Sequence, residues 1–145
     1  MKGTGGREMS DCVFCRIIAG QIPSTRVYED EHTLTFMDIG QVNPGHVLVT
    51  VKKHADNLYA LDDAQAAAVA HTSARVARAI RDAFKPEGLS VYQANGKAAG
   101  QTVFHYHVHL LPRHAADGME LTWPVKNPPR EKLEGYAEKI RKQFA

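Results

Sequence analysis

Phe104-His105-Tyr106-His107-Val108-His109-Leu110-Leu111 is the stretch on which this sequence turns. Three of the eight histidines occupy alternate positions there, separated only by Tyr106 and Val108. A β-strand sends successive side chains to opposite faces, so the run reads as a strand ending near Pro112 with His105, His107 and His109 on one side. Phe104, Tyr106, Val108 and Leu110 then form an apolar face that belongs against a core. Wound as a helix, the same residues would scatter the imidazoles around the axis. Three imidazoles on one face of a rigid element make a candidate site.

Outward from this strand, punctuation divides the chain. Residues 95–101 read as a Gly- and Ala-containing loop, and residues 89–94 as a strand before it. Pro86 and Gly88 stop a long Ala-rich helix that runs to about Phe84. Asp62 is placed to cap its start, with Gln65 positioned for a capping box. Its apolar stripe includes Ala66, Val69, Ala70, Val76, Ala77 and Ile80. Residues 25–29, 34–39 and 46–51 read as strands, separated by turn signals at Asp30-Glu31 and Asn43-Pro44-Gly45. A short helix over 13–19 ends at Gly20. Residues 113–129 are irregular, and Pro129 suits the first position of a C-terminal helix to about Phe144. The pattern predicts an α+β fold: an antiparallel sheet of about five strands, one long helix and a C-terminal helix.

At 145 residues the chain is expected to be one domain, spanning 11–145, behind a disordered lead-in at 1–10. The first ten residues hold no apolar stretch of the kind a signal peptide needs. A net charge of +2 without a basic block gives no argument for nucleic acid or a membrane surface, and no apolar run is long enough to span a bilayer. The cytoplasm is the expected compartment. There, Cys12 and Cys15 are less readily read as a structural disulfide.

The histidine strand admits several readings. The bland one is a solvated polar strand face. A second is a catalytic zinc site, since zinc is often held by three imidazoles with one open position. No carboxylate stands beside the histidines in sequence to act as its base. The third is nucleophilic catalysis at phosphorus. A neutral imidazole attacks and leaves a phosphoryl centre well, provided one nitrogen is free and the other is held by an acceptor. His107, flanked by a histidine on each side, suits the nucleophile. Gln101 and Thr102 are placed to donate to phosphate oxygens.

Gly100-Gln101-Thr102-Val103-Phe104-His105-Tyr106-His107-Val108-His109-Leu110-Leu111 resembles the signature of the histidine triad (HIT) family, His-φ-His-φ-His-φ-φ, with its preceding Gly-Gln-Ser/Thr. Phe14 to Gly20 with Ile22-Pro23, Phe36-Met37-Asp38-Ile39, and Asn43-Pro44-Gly45-His46 through Lys52-Lys53-His54 resemble other family segments in order and spacing. The likeness runs from about Asp11 to Arg113 and is strongest to the bacterial, Hint-like purine nucleoside phosphoramidase branch.

That resemblance implies an enzyme hydrolysing AMP (or GMP) from a phosphoramidate or related leaving group through a nucleotidyl-histidine, without a catalytic cofactor. By it, His107 is the nucleophile, His109 contacts a phosphate oxygen and His46 orients the central histidine. Asp38 binds the ribose hydroxyls, and Phe14, Ile17, Phe36 and Ile39 sandwich the purine. Asn95, Gln101 and Thr102 lie on the phosphate and leaving-group side. Cys12 and Cys15 form a structural zinc site with His54 and His105. The long helix and the 89–94 strand form a homodimer interface, and Trp123-Pro124 lies where some members reach toward the partner's site. The alternatives are a nucleotide-binding regulatory module with little turnover, a diadenosine polyphosphate hydrolase, and a metal hydrolase.

Overall fold

The computed structural model describes residues 11–145, so the expected disordered lead-in lies outside the described residues. Five strands form one antiparallel sheet: β1 Arg26–Glu29, β2 Thr33–Met37, β3 Val47–Val51, β4 Gly88–Tyr92 and β5 His107–Arg113, in the order β1-β2-β3-β5-β4. Among the described residues, three α-helices accompany it: α1 Val13–Ile18, α2 Asp63–Phe84 and α3 Arg130–Arg141. The α+β expectation holds. Among the described residues, no helix is long and apolar enough to cross a membrane.

Each face of the sheet has its own core, and the period of two decides which residue joins which. Val47, Val49 and Val51 of β3, with Val108 and Leu110 of β5, pack against Val69, Val76 and Ile80 of α2. The intervening Leu48, with Leu34 and Phe36 of β2, packs on the other face against Cys12, Phe14 and Ile17. Leu110 is fully buried. Leu110→Ala should therefore cost about 3 kcal/mol through lost transfer energy and a cavity. Urea unfolding measures it as a lower midpoint at unchanged slope.

The start of α2 follows its local chemistry. The Asp62 carboxylate accepts from the Gln65 amide at 2.8 Å, and the Gln65 side chain accepts from the Asp62 amide at 3.0 Å. Lys85, in the left-handed region at φ 48°, ends the helix just before Pro86. The predicted stripe is right at Val69, Val76, Ala77 and Ile80 but not at Ala66 or Ala70, which are exposed. Buried Thr72 completes it, its hydroxyl donating to Asp30 at 3.2 Å. Burial alone would raise the Asp30 pKa. Hydrogen bonds from the His32 and Thr33 amides and from the Thr33 and Tyr28 hydroxyls outweigh it and hold the group to about 2.

Several boundaries shift. The strand read at 34–39 is β2, ending at Met37, so Asp38 and Ile39 stand in the loop beyond it. The strand read at 89–94 is β4, ending at Tyr92, beyond which Gln93 and Asn95 exchange side-chain hydrogen bonds at 2.7 Å. Pro129 caps α3 with an extended ψ of 153° instead of being its first turn. Most consequentially, β5 begins at His107. Residues 104–106 lie outside the strand because the Tyr106 amide donates to the carbonyl of Ala55 at 2.7 Å rather than to a neighbouring strand. His105 therefore lies outside β5, although it stays on the side of His107, where Phe14 meets both rings.

The irregular stretch after β5 is tied down at its start. Arg113 Nε donates to Asp117 at 2.7 Å and another guanidinium nitrogen to the Met119 carbonyl at 2.6 Å, while Asn43 donates to Asp117 at 3.0 Å. That network joins it to the turn preceding His46.

Candidate active site and metal centre

β5 runs between β3 and β4 and carries His107 and His109 on the face opposite α2, under α1. A cleft of about 440 Å³ opens there, lined by Phe14, Ile17, Phe36, Asp38, Ile39, Thr102, His107 and His109 among others. That size is within the range of small-molecule sites. The walls are apolar, with the Phe14 and Phe36 rings edge to face at 5.4 Å. Phe14 also meets the His107 ring edge to face at 5.0 Å. Ile39 is wholly exposed at the cleft's rim, a position suited to closing over a flat ligand.

The hydrogen bonds assign the tautomers. His107 Nδ1 lies 2.6 Å from the carbonyl of His105, which only accepts, so Nδ1 carries the proton and Nε2 keeps its lone pair. Burial holds the pKa of His107 below the usual histidine value, although the hydrogen bond to His105 and the charge of Asp38 pull it back up. His109 is taken down to about 4, first by burial and then by the neighbouring His107 and His46, with Asp38 opposing. The two rings meet at 5.2 Å.

His46 enters from the start of β3. Its Nε2 lies 2.9 Å from His109 Nδ1, and its Nδ1 accepts weakly from the Val42 amide at 3.4 Å. The Asp38 carboxylate stands 3.4 Å from His46 Nε2 and 3.6 Å from His109 Nδ1. No carboxylate was adjacent to the histidines in sequence; pairing of β2, β3 and β5 supplies one. Burial lowers the pKa of His46, with Asp38 opposing.

Asn95 and Gln101 take no part in the cleft lining. Asn95 accepts from the Leu58 amide at 2.7 Å. Gln101 is buried, donating to the carbonyls of Asp56 at 2.6 Å and Val103 at 3.1 Å and accepting from the Gly96 amide at 2.7 Å. Both brace the loop that leads into the histidines. Thr102 does line the cleft. The cleft also uses Val13, Ile22, Ser24, Thr25, Leu48 and Val103, small or apolar residues that carry no chemical signature in a sequence.

His105 lies on the same side of the sheet, its ring 5.9 Å from that of Phe14, but turns to the cysteines instead of the cleft. Its Nδ1 lies 3.3 Å from Cys12 Sγ, 3.5 Å from Cys15 Sγ and 3.2 Å from His54 Nδ1, and Cys15 Sγ is 3.3 Å from His54 Nδ1. These separations match the edges of a tetrahedron with zinc–nitrogen and zinc–sulfur bonds of about 2.1 and 2.3 Å. The outer nitrogens reinforce the match. His105 Nε2 donates to the Val51 carbonyl at 2.6 Å, and His54 Nε2 donates to Asp56 at 2.7 Å. Both Nδ1 lone pairs therefore converge with no proton between them, as buried donors do around a cation. Burial, with the Cys12 hydrogen bond and charge, raises the Cys15 thiol to about 12 without a cation. A bound metal displaces that proton. The three triad histidines thus do not converge on a single metal: His105 joins the cysteines, and His107 and His109 face the cleft.

Residues 19–116 match the HIT domain family. The crystal structure of a HIT family member from Bacillus subtilis is 46% identical with a TM-score of 0.89, covering 93% of this chain and 98% of that one. An adenosine 5'-monophosphoramidase of Candida albicans is 31% identical over 94% of this chain and 93% of its own length. A zinc-bound histidine triad family protein from Mycobacterium smegmatis is 38% identical with a TM-score of 0.72, covering 85% of this chain and 87% of that one. The chain is a member of the histidine triad family.

Proposed function

We propose that this protein is a nucleotidyl hydrolase that releases AMP, or GMP, from a phosphoramidate or a related conjugate. The observation that carries the reading is the 2.6 Å bond from His107 Nδ1 to the His105 carbonyl, which leaves a neutral Nε2 facing an apolar-walled cleft. In the first step Nε2 attacks the α-phosphorus, the bond to the leaving nitrogen breaks, and the departing amine takes a proton. Neutral His109, its Nδ1 facing His46 and its Nε2–H free, donates a hydrogen bond to a phosphate oxygen, and the proton of the departing amine comes from water. In the second step water attacks the phosphorus, the bond to His107 breaks, and the nucleotide leaves. Phe14, Ile17, Phe36 and Ile39 hold the purine through apolar contact, so discrimination between adenine and guanine is weak. Asp38 accepts from the ribose hydroxyls. Thr102 donates to the phosphate, while Asn95 and Gln101 fix the loop beneath it.

The reading assigns no catalytic cofactor. Zinc, held by Cys12, Cys15, His54 and His105, would pin α1 and the start of the histidine run together. It also extends to a homodimer in the cytoplasm, formed through α2 and the outer edge of β4, where Val91 stays 64% exposed. It includes no nucleic-acid or membrane partner.

The test is turnover of adenosine and guanosine phosphoramidates by purified protein, with dinucleoside polyphosphates in parallel. AMP binding with no turnover of any of them would favour the regulatory-module alternative. The pH dependence is also set. A free histidine is half protonated near pH 6.5, but burial keeps these imidazoles neutral further down, His109 to about 4. Turnover should stay level as pH falls through ~6.5 and decline only below it. Stability runs in the same direction. A histidine with a depressed folded pKa contributes stability above ~6.5, lost as pH drops toward its folded value. An acid limb centred at the ordinary histidine pKa would count against a buried neutral nucleophile.

A further inference from the structure

The loop joining β2 to β3 carries cleft residues at both ends, Asp38 and His46. One side chain in its middle draws those ends together. Gln41 Nε2 donates to the carbonyls of Asp38 and of His46, the latter at 2.6 Å. Its Oε1 accepts from the amides of Gly45 and His46, both at 3.1 Å. Two donors and two acceptor sites are the whole capacity of a carboxamide, and all four are spent on the backbone of this one loop. The main chain alone closes it with only the Asp38 amide to the His46 carbonyl at 3.1 Å and the His46 amide to the Asn43 carbonyl at 3.2 Å. Gln41 is nonetheless exposed and does not line the histidine cleft.

The consequence passes through the next residue. With the loop held by Gln41, the Val42 amide faces His46 Nδ1 at 3.4 Å. An N–H there needs a lone pair opposite it, so the His46 proton resides on Nε2. That proton is directed at His109 Nδ1, 2.9 Å away, and the proton of neutral His109 is in turn placed on Nε2. The opposite tautomer of His46 would set Nδ1–H against the Val42 N–H, and across the 2.9 Å contact it would force the His109 proton from Nε2 to Nδ1. The same pattern works against a metal among Asp38, His46 and His109, whose ligand atoms lie within 4.8 Å of one another. Such a metal would require the Nε2 lone pair of His46.

We infer that Gln41 is a positioning residue: by closing the 38–46 loop it fixes the proton positions of the His46–His109 pair. Its effect on turnover rests on the hydrolase reading; its effect on the imidazoles does not.

The experiment uses the full chain with Gln41→Ala and Gln41→Glu. The glutamate keeps acceptor oxygens for the Gly45 and His46 amides but sets a carboxylate against two carbonyls, so it separates the donating half of the amide from the accepting half. Long-range ¹H–¹⁵N spectra read each imidazole's tautomer directly. The wild type is expected to show Nε2–H at both His46 and His109. Both variants should show mixed tautomers at this pair with unchanged signals at His71. The kcat for adenosine phosphoramidate should fall about tenfold, with KM and AMP affinity nearly unchanged. Wild-type tautomer signals in both folded variants would overturn the inference, whatever the activity. So would global unfolding of both, since an exposed amide bracing one loop predicts a local effect. Shifted tautomers in a protein whose wild type turns nothing over would support the Gln41 inference and sink the hydrolase reading.

Discussion

His107→Ala is expected to lose turnover of an adenosine phosphoramidate by a factor on the order of 10⁴ or more, the scale seen when a covalent nucleophile is removed. Nucleotide affinity should survive, because the apolar walls and Asp38 do not depend on the ring. Loss of one neutral contact is worth about 1 kcal/mol, or roughly fivefold in binding. Stopped reactions of the wild type should also trap a nucleotidyl-protein adduct at His107, visible by mass spectrometry and missing from the variant. A variant with near-normal kcat would remove His107 from the mechanism.

The second large effect concerns the opposite end of the histidine run. Replacing Cys12 and Cys15 by serine, or treating the protein with a chelator, would take away the proposed zinc centre, whose ligands lie on α1 and its cap and at His54 and His105. Structural zinc is worth about 10–16 kcal/mol in small peptides, and a domain with two other cores should lose less. A loss of about 4 kcal/mol would lower the melting temperature of a chain this long by about 10 °C. Metal analysis should find about one zinc per chain in the untreated protein. The outcome also separates two chemistries. A structural zinc lowers the melting temperature, with activity falling only as the fold loosens, since the His105 carbonyl still meets His107. A catalytic zinc would take activity first and leave the melting temperature alone. An untreated protein that contains no metal and melts unchanged after chelation would end the zinc proposal.

The sequence is informative wherever a property repeats along the chain. Alternation over 107–110 set the strand and its two faces, because a strand's period does not depend on its surroundings. The Asp62–Gln65 box set the start of α2, because the contact spans three residues. Alternation put Tyr106 on the side of Val108 correctly but overran the strand at 104–106, where a carbonyl 51 residues away, at Ala55, claims the Tyr106 amide. Ala66 and Ala70 misled for a related reason. Alanine suits either side of a helix, and only packing chooses.

For the site, composition and spacing marked the histidines as a group but could not divide them. Family resemblance suggested the division; the tertiary structure gives its geometry. Cys12 and His105 are 93 positions apart, and nothing local connects them. Asp38 meets His46 and His109 only because β2, β3 and β5 are neighbours in the sheet. Gln41 resembles any surface glutamine until its four hydrogen bonds are seen.

By itself, then, the sequence determined the element types, the α+β class and the cluster of chemically able residues, since these follow from short-range periodicity and side-chain chemistry. Which imidazole keeps a lone pair for the cleft, which turns to the cysteines and which carboxylate stands beside them were decided by the tertiary structure. Proton position and ligand geometry depend on partners a few ångströms away in space, and chain separation carries no information about that distance.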